Sequence, residues 1–224
     1  MSNCLYCGIN INKHVTWDLF NSFRPTLLCE NCKAGLSFIN QEEVCSICGK
    51  PDSRSICQDC NERLAQGTQY LTRNHSVYRY NQFAKGLMEL YKYRGDYILA
   101  KVLGELLEKS LRSMTKNFVI CPIPLAEKRL AERGFNQVTA ILDEATFNYQ
   151  ELLVREEGEK QSKRNRIERL NAKQVFREAE IKLSVDQPIL LVDDIYTTGA
   201  TLNLAAKVFC DKGFKNIESL TVFR

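Results

Sequence analysis

Apolar residues fall at helical spacing in two successive stretches near the middle of the chain. NQFAKGLMELYKYRG puts Phe83, Leu87, Leu90 and Tyr91 on one face and stops at Gly95. DYILAKVLGELLEKSLRSM repeats the pattern with Ile98, Leu99, Val102, Leu103, Leu106, Leu107 and Leu111, and Asp96 stands where a cap is wanted. A period near 3.6 with a polar opposite face predicts two amphipathic helices. The pattern then changes. FVICPIP (118–124) is a short apolar run closed by two prolines, which predicts a buried strand and its exit loop. EKRLAERGFNQVTAILDEATF is helical again, interrupted at Gly134. ELLV (151–154) and PILLV predict strands, ATLNLAAKVFCDKG a helix closed by glycine, and IESLTVF a last strand. Continuous apolar strands alternating with helices imply an α/β fold with a parallel sheet.

Three stretches break this rhythm. Residues 1–62 are rich in cysteine and poor in helical periodicity, and residues 63–76, RLAQGTQYLTRNHS, read as a linker to an α/β domain over 77–224. Residues 156–173, EEGEKQSKRNRIERLNAK, are almost wholly polar and predict a mobile loop.

Composition changes the picture only at the cysteines. Hydrophobic and charged contents of 44% and 26% are ordinary for a soluble globular chain. No apolar run approaches the ~18 residues a membrane span needs. The start, MSNCLYCG, has neither a basic region nor an apolar core of the export type, which predicts a cytoplasmic protein. Eight of the ten cysteines form four Cys-x-x-Cys pairs: Cys4/Cys7, Cys29/Cys32, Cys45/Cys48 and Cys57/Cys60. In a reducing compartment that pattern points to metal. Two such knuckles complete a tetrahedron of thiolates, so four predict two closed, structural Zn²⁺ sites. Sequential pairing is the simplest arrangement, because eight residues between Cys48 and Cys57 make a comfortable ribbon loop; an interleaved cross-brace satisfies the same spacings. Gly8 and Gly49 each follow a second knuckle cysteine, where positive φ is often required. Cys121 and Cys210 lie apart in apolar surroundings and read as core packing, and His14 as a surface histidine. Eight thiolates holding two Zn²⁺ bring the formal charge of +4 to zero. Any nucleic-acid surface must therefore rest on local clustering.

One stretch carries the chemistry. ILLVDDIYTTGATL (189–202) runs an apolar strand into two adjacent carboxylates and then a glycine–threonine loop before a helix. Backbone N–H groups of such a loop, with the helix N-terminus behind them, favour a phosphate dianion. Thr197, Thr198 and Thr201 add hydroxyl donors, and Gly199, ahead of Ala200, lets the backbone approach closely. Asp193 and Asp194 repel phosphate but accept from sugar hydroxyls. A ribose 5-phosphate fits both halves.

This segment resembles the phosphoribosyl-pyrophosphate (PRPP) loop of type I phosphoribosyltransferases. The resemblance implies that Asp193 and Asp194 hold the ribose hydroxyls and residues 197–201 the 5′-phosphate. CPIPL, Cys121, Pro122, Ile123, Pro124 and Leu125, stands where that family has its pyrophosphate loop. Mg²⁺ with PRPP is implied as well. Purine phosphoribosyltransferases of the hypoxanthine-guanine type carry an acid where this chain has Thr197, and threonine takes no proton at neutral pH. Salvage of that type is disfavoured.

The whole order of motifs is similar to a narrower family. Four Cys-x-x-Cys pairs, YKYRGD (91–96), PIPL, RLAERGFNQ (129–137), a basic stretch from Gln161 and VDDIYTTGAT resemble the ComF family, the competence protein F or amidophosphoribosyltransferase-like proteins. The resemblance implies a double zinc ribbon ahead of a phosphoribosyltransferase-like domain. It also implies a role in internalising single-stranded DNA during natural transformation, beside a helicase-like motor protein at the inner membrane. An active phosphoribosyltransferase acting on an unidentified amine or base is the alternative.

Several cations suit DNA or substrate. Lys163, Arg164, Arg166 and Arg169 lie in the polar loop, Lys128, Arg129 and Arg133 on the helix after CPIPL, and Lys92 and Arg94 beside Tyr91 and Tyr93. Asn136 and Gln137 close the RGFNQ motif. Phosphates meet charges and bases stack on rings in single-strand sites, and the loop serves pyrophosphate equally well. The ribbon has few basic residues, which points to docking on a partner protein.

Overall fold

The computed structural model describes residues 2–11, 25–53, 55–93, 95–114, 116–156, 175–180 and 182–224. A four-stranded sheet, all parallel, runs in the order β3 (Arg73–Tyr78), β8 (Ile217–Phe223), β7 (Ile189–Ile195), β4 (Val119–Pro122). Two-strand pieces flank it: β1 (Ser2–Asn3) with β2 (Asn10–Ile11), and β5 (Leu153–Arg155) with β6 (Phe176–Glu178), both antiparallel.

Helices cover both faces, which is why β7 is a continuous apolar run and not an alternating one. On one face, Leu190, Val192, Leu220 and Val222 pack with α3 (Gln82–Tyr93), α4 (Leu99–Met114) and α6 (Gln137–Glu144). On the other, Ile189, Leu191 and Ile217 pack against α7 (Ala200–Asp211). The cysteines divide in the same way. Cys4 and Cys32 join the first core, whereas Cys45, Cys48, Cys57 and Cys60 join the second. The short helices α1 (Glu30–Ala34) and α2 (Gln58–Ala65) each start at a knuckle cysteine, Cys29 and Cys57. α5 (Glu127–Arg133) ends at Gly134, whose φ of 78° closes the turn into α6.

The sheet corrects the sequence reading in two places. Residues 73–76, expected as linker, belong to β3, and α2 extends to Ala65. RNHSVY hides the first part of its strand because the buried positions there, Asn74 and Ser76, are polar. Asn74 is paired through Oδ1 to the Ser219 hydroxyl (2.8 Å), and its Nδ2 donates to the carbonyl of Cys48 (3.1 Å). Ser76 bonds Thr221 (2.7 Å), and His75 bonds Glu218 (2.6 Å). This ladder docks the second ribbon onto the sheet, with the Asn74 N–H on the carbonyl of Ile47. Second, the strand expected at ELLV forms at 153–155 but pairs with β6, outside the parallel sheet. Phe176–Glu178 is too short to show a period of two.

Candidate functional site

β7 delivers Asp193 and Asp194 to the carboxyl edge of the sheet, where ligands of open α/β folds bind. The chain then passes Tyr196, Thr197 and Thr198 to Gly199, whose φ of 76° is left-handed and forms the cap of α7. Thr197, Thr198 and Ala200 are exposed and Thr201 is half-buried, so the loop lies open to a ligand. Gly199 has no room for a side chain: an added Cβ would overlap the Tyr196 hydroxyl. Its carbonyl accepts from Asn203 Nδ2 (3.1 Å).

β4 is hydrogen-bonded to β7, which sets CPIPL next to the acids. Ile123 N–H donates to the carbonyl of Val192, and Asn136 Nδ2 to the carbonyl of Ile123. Asn136 also caps α6, accepting from Val138 N–H at 2.9 Å. The RGFNQ motif thus fixes the exit of β4. Gln137 is 2% exposed, and its Nε2 is buried with no hydrogen-bond partner among the described residues. Cys121 is fully buried, and burial pushes its thiol up to about 12; it is a core residue, as expected. Pro124 and Leu125 are half-buried on the exit of β4. Cys210 is half-buried against the Tyr70 carbonyl.

Electrostatics at the acids are tense. Burial, and then the charge of Asp194, push the Asp193 carboxyl up to about 7, against the pull of the Asp194 N–H (2.8 Å), Lys92 and Arg155. Lys92 Nζ meets Asp194 Oδ2 at 2.7 Å, in a pair whose side chains are 20% and 9% exposed. Tyr91 donates to the carbonyl of Gln137 (2.8 Å), and burial followed by the charge of Asp194 holds its phenol well above the ordinary range. Lys92, Arg129, Glu132 and Arg133 line an open cavity of about 360 Å³ beside the acids. Burial and the neighbouring Arg129 draw the Arg155 guanidinium below its usual range, while Asp193 opposes them.

The fold therefore gathers Asp193, Asp194, the 197–201 loop, residues 121–125, Lys92, Arg129, Arg133, Asn136 and Gln137 at one edge. Lys128 is exposed on α5. Arg94, Lys163, Arg164, Arg166, Arg169 and the loop they occupy lie outside the described residues, as does His14. Sequence reading missed Arg155, Arg63 and Arg224. Arg155 stands at the end of an otherwise apolar strand, a position that could have flagged it. The other two are placed only by long-range contacts.

The cysteines pair sequentially. Cys4, Cys7, Cys29 and Cys32 form one cluster and Cys45, Cys48, Cys57 and Cys60 the other, with all ligand sulfurs of each within 4.8 Å of one another. Four thiol donors converging on a point can hold a metal ion, and a thiolate set of this kind suits Zn²⁺. Gly8 and Gly49 have φ of 75° and 67°, as the knuckles require. A Cβ on Gly49 would lie 2.8 Å from the Asn74 carbonyl oxygen, so the turn is also pressed onto β3. No described helix is long and apolar enough to cross a membrane.

No protein-family model matches the chain. Among curated proteins, it is 34% identical over 223 residues to Competence protein ComFC of Streptococcus pneumoniae, covering 99% of each chain. It is 32% identical over 228 residues to Competence protein ComFC of Bacillus subtilis, covering 99% of this chain and 94% of the relative. Competence protein F of Haemophilus influenzae is 25% identical over 215 residues, 85% of this chain and 93% of that one.

Proposed function

The chain belongs to the ComF family of competence proteins, and from that premise we propose that it supports internalisation of single-stranded DNA during natural transformation, through a domain that binds PRPP with Mg²⁺. The observation that carries the ligand is the edge formed by β7 and β4: paired carboxylates, then an open hydroxyl-lined loop capping α7, with a second loop alongside. Asp193 and Asp194 accept from the ribose hydroxyls, the 197–201 loop donates to the 5′-phosphate, and Pro124 and Leu125 at the exit of β4, above the buried residues 121–123, face the pyrophosphate. Bound Mg²⁺ would neutralise charge on the pyrophosphate oxygens. The cations Lys92, Arg129 and Arg155 balance the remaining anionic charge from this chain's own side. Both cysteine clusters hold Zn²⁺ in this reading, as closed structural sites.

DNA binding falls to the basic residues of α5, Lys128, Arg129 and Arg133, and to the loop holding Lys163, Arg164, Arg166 and Arg169; the ribbons dock a helicase-like motor. A second reading, transfer of ribose 5-phosphate to an amine or base, is favoured by the same cation cluster, which suits a pyrophosphate leaving group. The test is a cell that depends on this protein for transformation, carrying Asp193→Asn with Asp194→Asn. Transformants should fall at least roughly ten-fold, the effect of removing one set of charge-assisted hydrogen bonds, with protein level unchanged. Undiminished transformation overturns the need for the ligand site.

A further inference from the structure

The second cysteine cluster reaches the sugar-phosphate loop through two arginines. Cys57 caps α2, which carries Cys60 and, nearly one turn on, Arg63. The Arg63 guanidinium donates to the carbonyl of Thr198 and, at 3.3 Å, to the Tyr196 hydroxyl. Arg224 lies 4.4 Å over the Tyr196 ring and donates from Nη2 to Cys48 Sγ at 3.0 Å. Its Nε and Nη1 are buried with no hydrogen-bond partner among the described residues. Asn203 clamps the same corner, accepting from the Tyr70 N–H (3.0 Å) just after α2 and donating to Gly199. The first cluster is placed differently. It packs against α3 on the opposite face of the sheet, where the Tyr6 and Phe83 rings meet tilted, with centroids 4.8 Å apart.

Charge gives this junction a direction. Four thiolates around a divalent ion carry a net charge of about −2, and hydrogen bonds to a charged sulfur are the strong kind. Arg224 sits on that charge and Arg63 a short step from it; both hold Tyr196, and Arg63 also holds Thr198. An ion held by the four sulfurs fixes the start of α2, and with it Arg63, and fixes the Cys48 sulfur that receives Arg224, so its loss frees both guanidiniums at once. We propose that the second cluster is a brace for the phosphate loop: metal held by Cys45, Cys48, Cys57 and Cys60 orders residues 196–201 through Arg63 and Arg224, while the first cluster has no such effect. Arg63 is a positioning residue. By reciprocity, a ligand on the loop raises the metal affinity of the second cluster alone. The brace is a property of the chain itself; only the identity of that ligand rests on the reading above.

Hydrogen exchange of the full-length, metal-loaded protein tests it. Arg63→Ala should speed exchange of loop amides 197–201 roughly ten-fold, the effect of one charge-assisted bond. Both metals should remain bound and the unfolding midpoint should hold. Arg63→Lys, which keeps one donor to Thr198, should restore part of the protection. Chelator withdrawal of the second-cluster metal should reproduce the Arg63→Ala pattern, and Cys7→Ser in the first cluster should not. Saturating PRPP with Mg²⁺ should raise the zinc-chelator concentration needed at equilibrium to strip one metal and leave that for the other unchanged. Loop exchange unchanged in Arg63→Ala, or raised equally by Cys7→Ser, overturns the brace. Exchange that rises as expected, in a wild-type protein that takes up no PRPP, leaves the brace standing and removes the sugar-phosphate reading.

Discussion

Replacing Asp193 with asparagine should stabilise the protein, and more at high pH than at low. Asp193 lies beside Asp194 at the end of a buried strand, with its carboxyl pushed from 3.8 up to about 7 by burial and that neighbour. The sign follows from linkage. The folded state holds this proton more tightly than the unfolded chain, so protonation favours folding. As pH rises from about 4 through about 7, ionisation takes that stability away. Moving that proton from 3.8 to about 7 corresponds to about 4 kcal/mol at full ionisation, an upper figure, because part of the site is open to water. Asparagine keeps the shape and never ionises. The gap between variant and wild type should therefore widen by about 1 kcal/mol between pH 6 and pH 8.5, the window in which the folded carboxyl still titrates. Urea unfolding of both metal-loaded proteins at the two pH values measures it. A gap that is constant, or narrows as pH rises, refutes the claim that this carboxylate is held under electrostatic strain. The same substitution should abolish Mg²⁺–PRPP binding, so that stability and ligand affinity move in opposite directions.

Three other substitutions probe separate parts of the account. Gly199→Ala forces a side chain onto the Tyr196 hydroxyl at a left-handed position, and should lower PRPP affinity at least ten-fold by calorimetry with metal content unchanged. Asn74→Ala removes the donor to the Cys48 carbonyl and the acceptor for Ser219; it should cost about 1–3 kcal/mol in urea unfolding and speed metal release from the second cluster. Neutralising Lys163, Arg164 and Arg166 should lower the salt slope of single-stranded DNA binding by about two, at ~0.7 for each phosphate no longer neutralised. An unchanged slope moves the DNA surface to α5.

The legible parts of the molecule are those written locally. The helices α3 and α4 follow from period and amphipathicity, β7 from the unbroken apolar run of residues 189–192 buried on both faces, β8 from its apolar and β-branched residues, and the cysteine clusters from knuckle spacing. The acid pair, the glycine–threonine loop and CPIPL were recognisable because strand, turn and helix follow one another without a break. What stayed hidden depends on partners far along the chain. β3 presents Asn74, His75 and Ser76 to partners on β8, with Asn74 also reaching the ribbon, and polar side chains satisfied in that way erase the apolar signal. Arg63 sits 133 residues from Tyr196 and Arg224 176 residues from Cys48, and nothing in their neighbours marks them. Arg155 shows the intermediate case: its strand was predicted, but only the fold brings it against Arg129 and Asp193.

Isothermal titration of PRPP with Mg²⁺ into metal-loaded protein, wild type beside Asp193→Ala with Asp194→Ala, bears on the central claim most directly. Saturable heat of one site per chain in the wild type, absent in the variant whose unfolding curve remains cooperative, is the predicted outcome. Heat of equal size in both proteins, or none in the wild type, contradicts it.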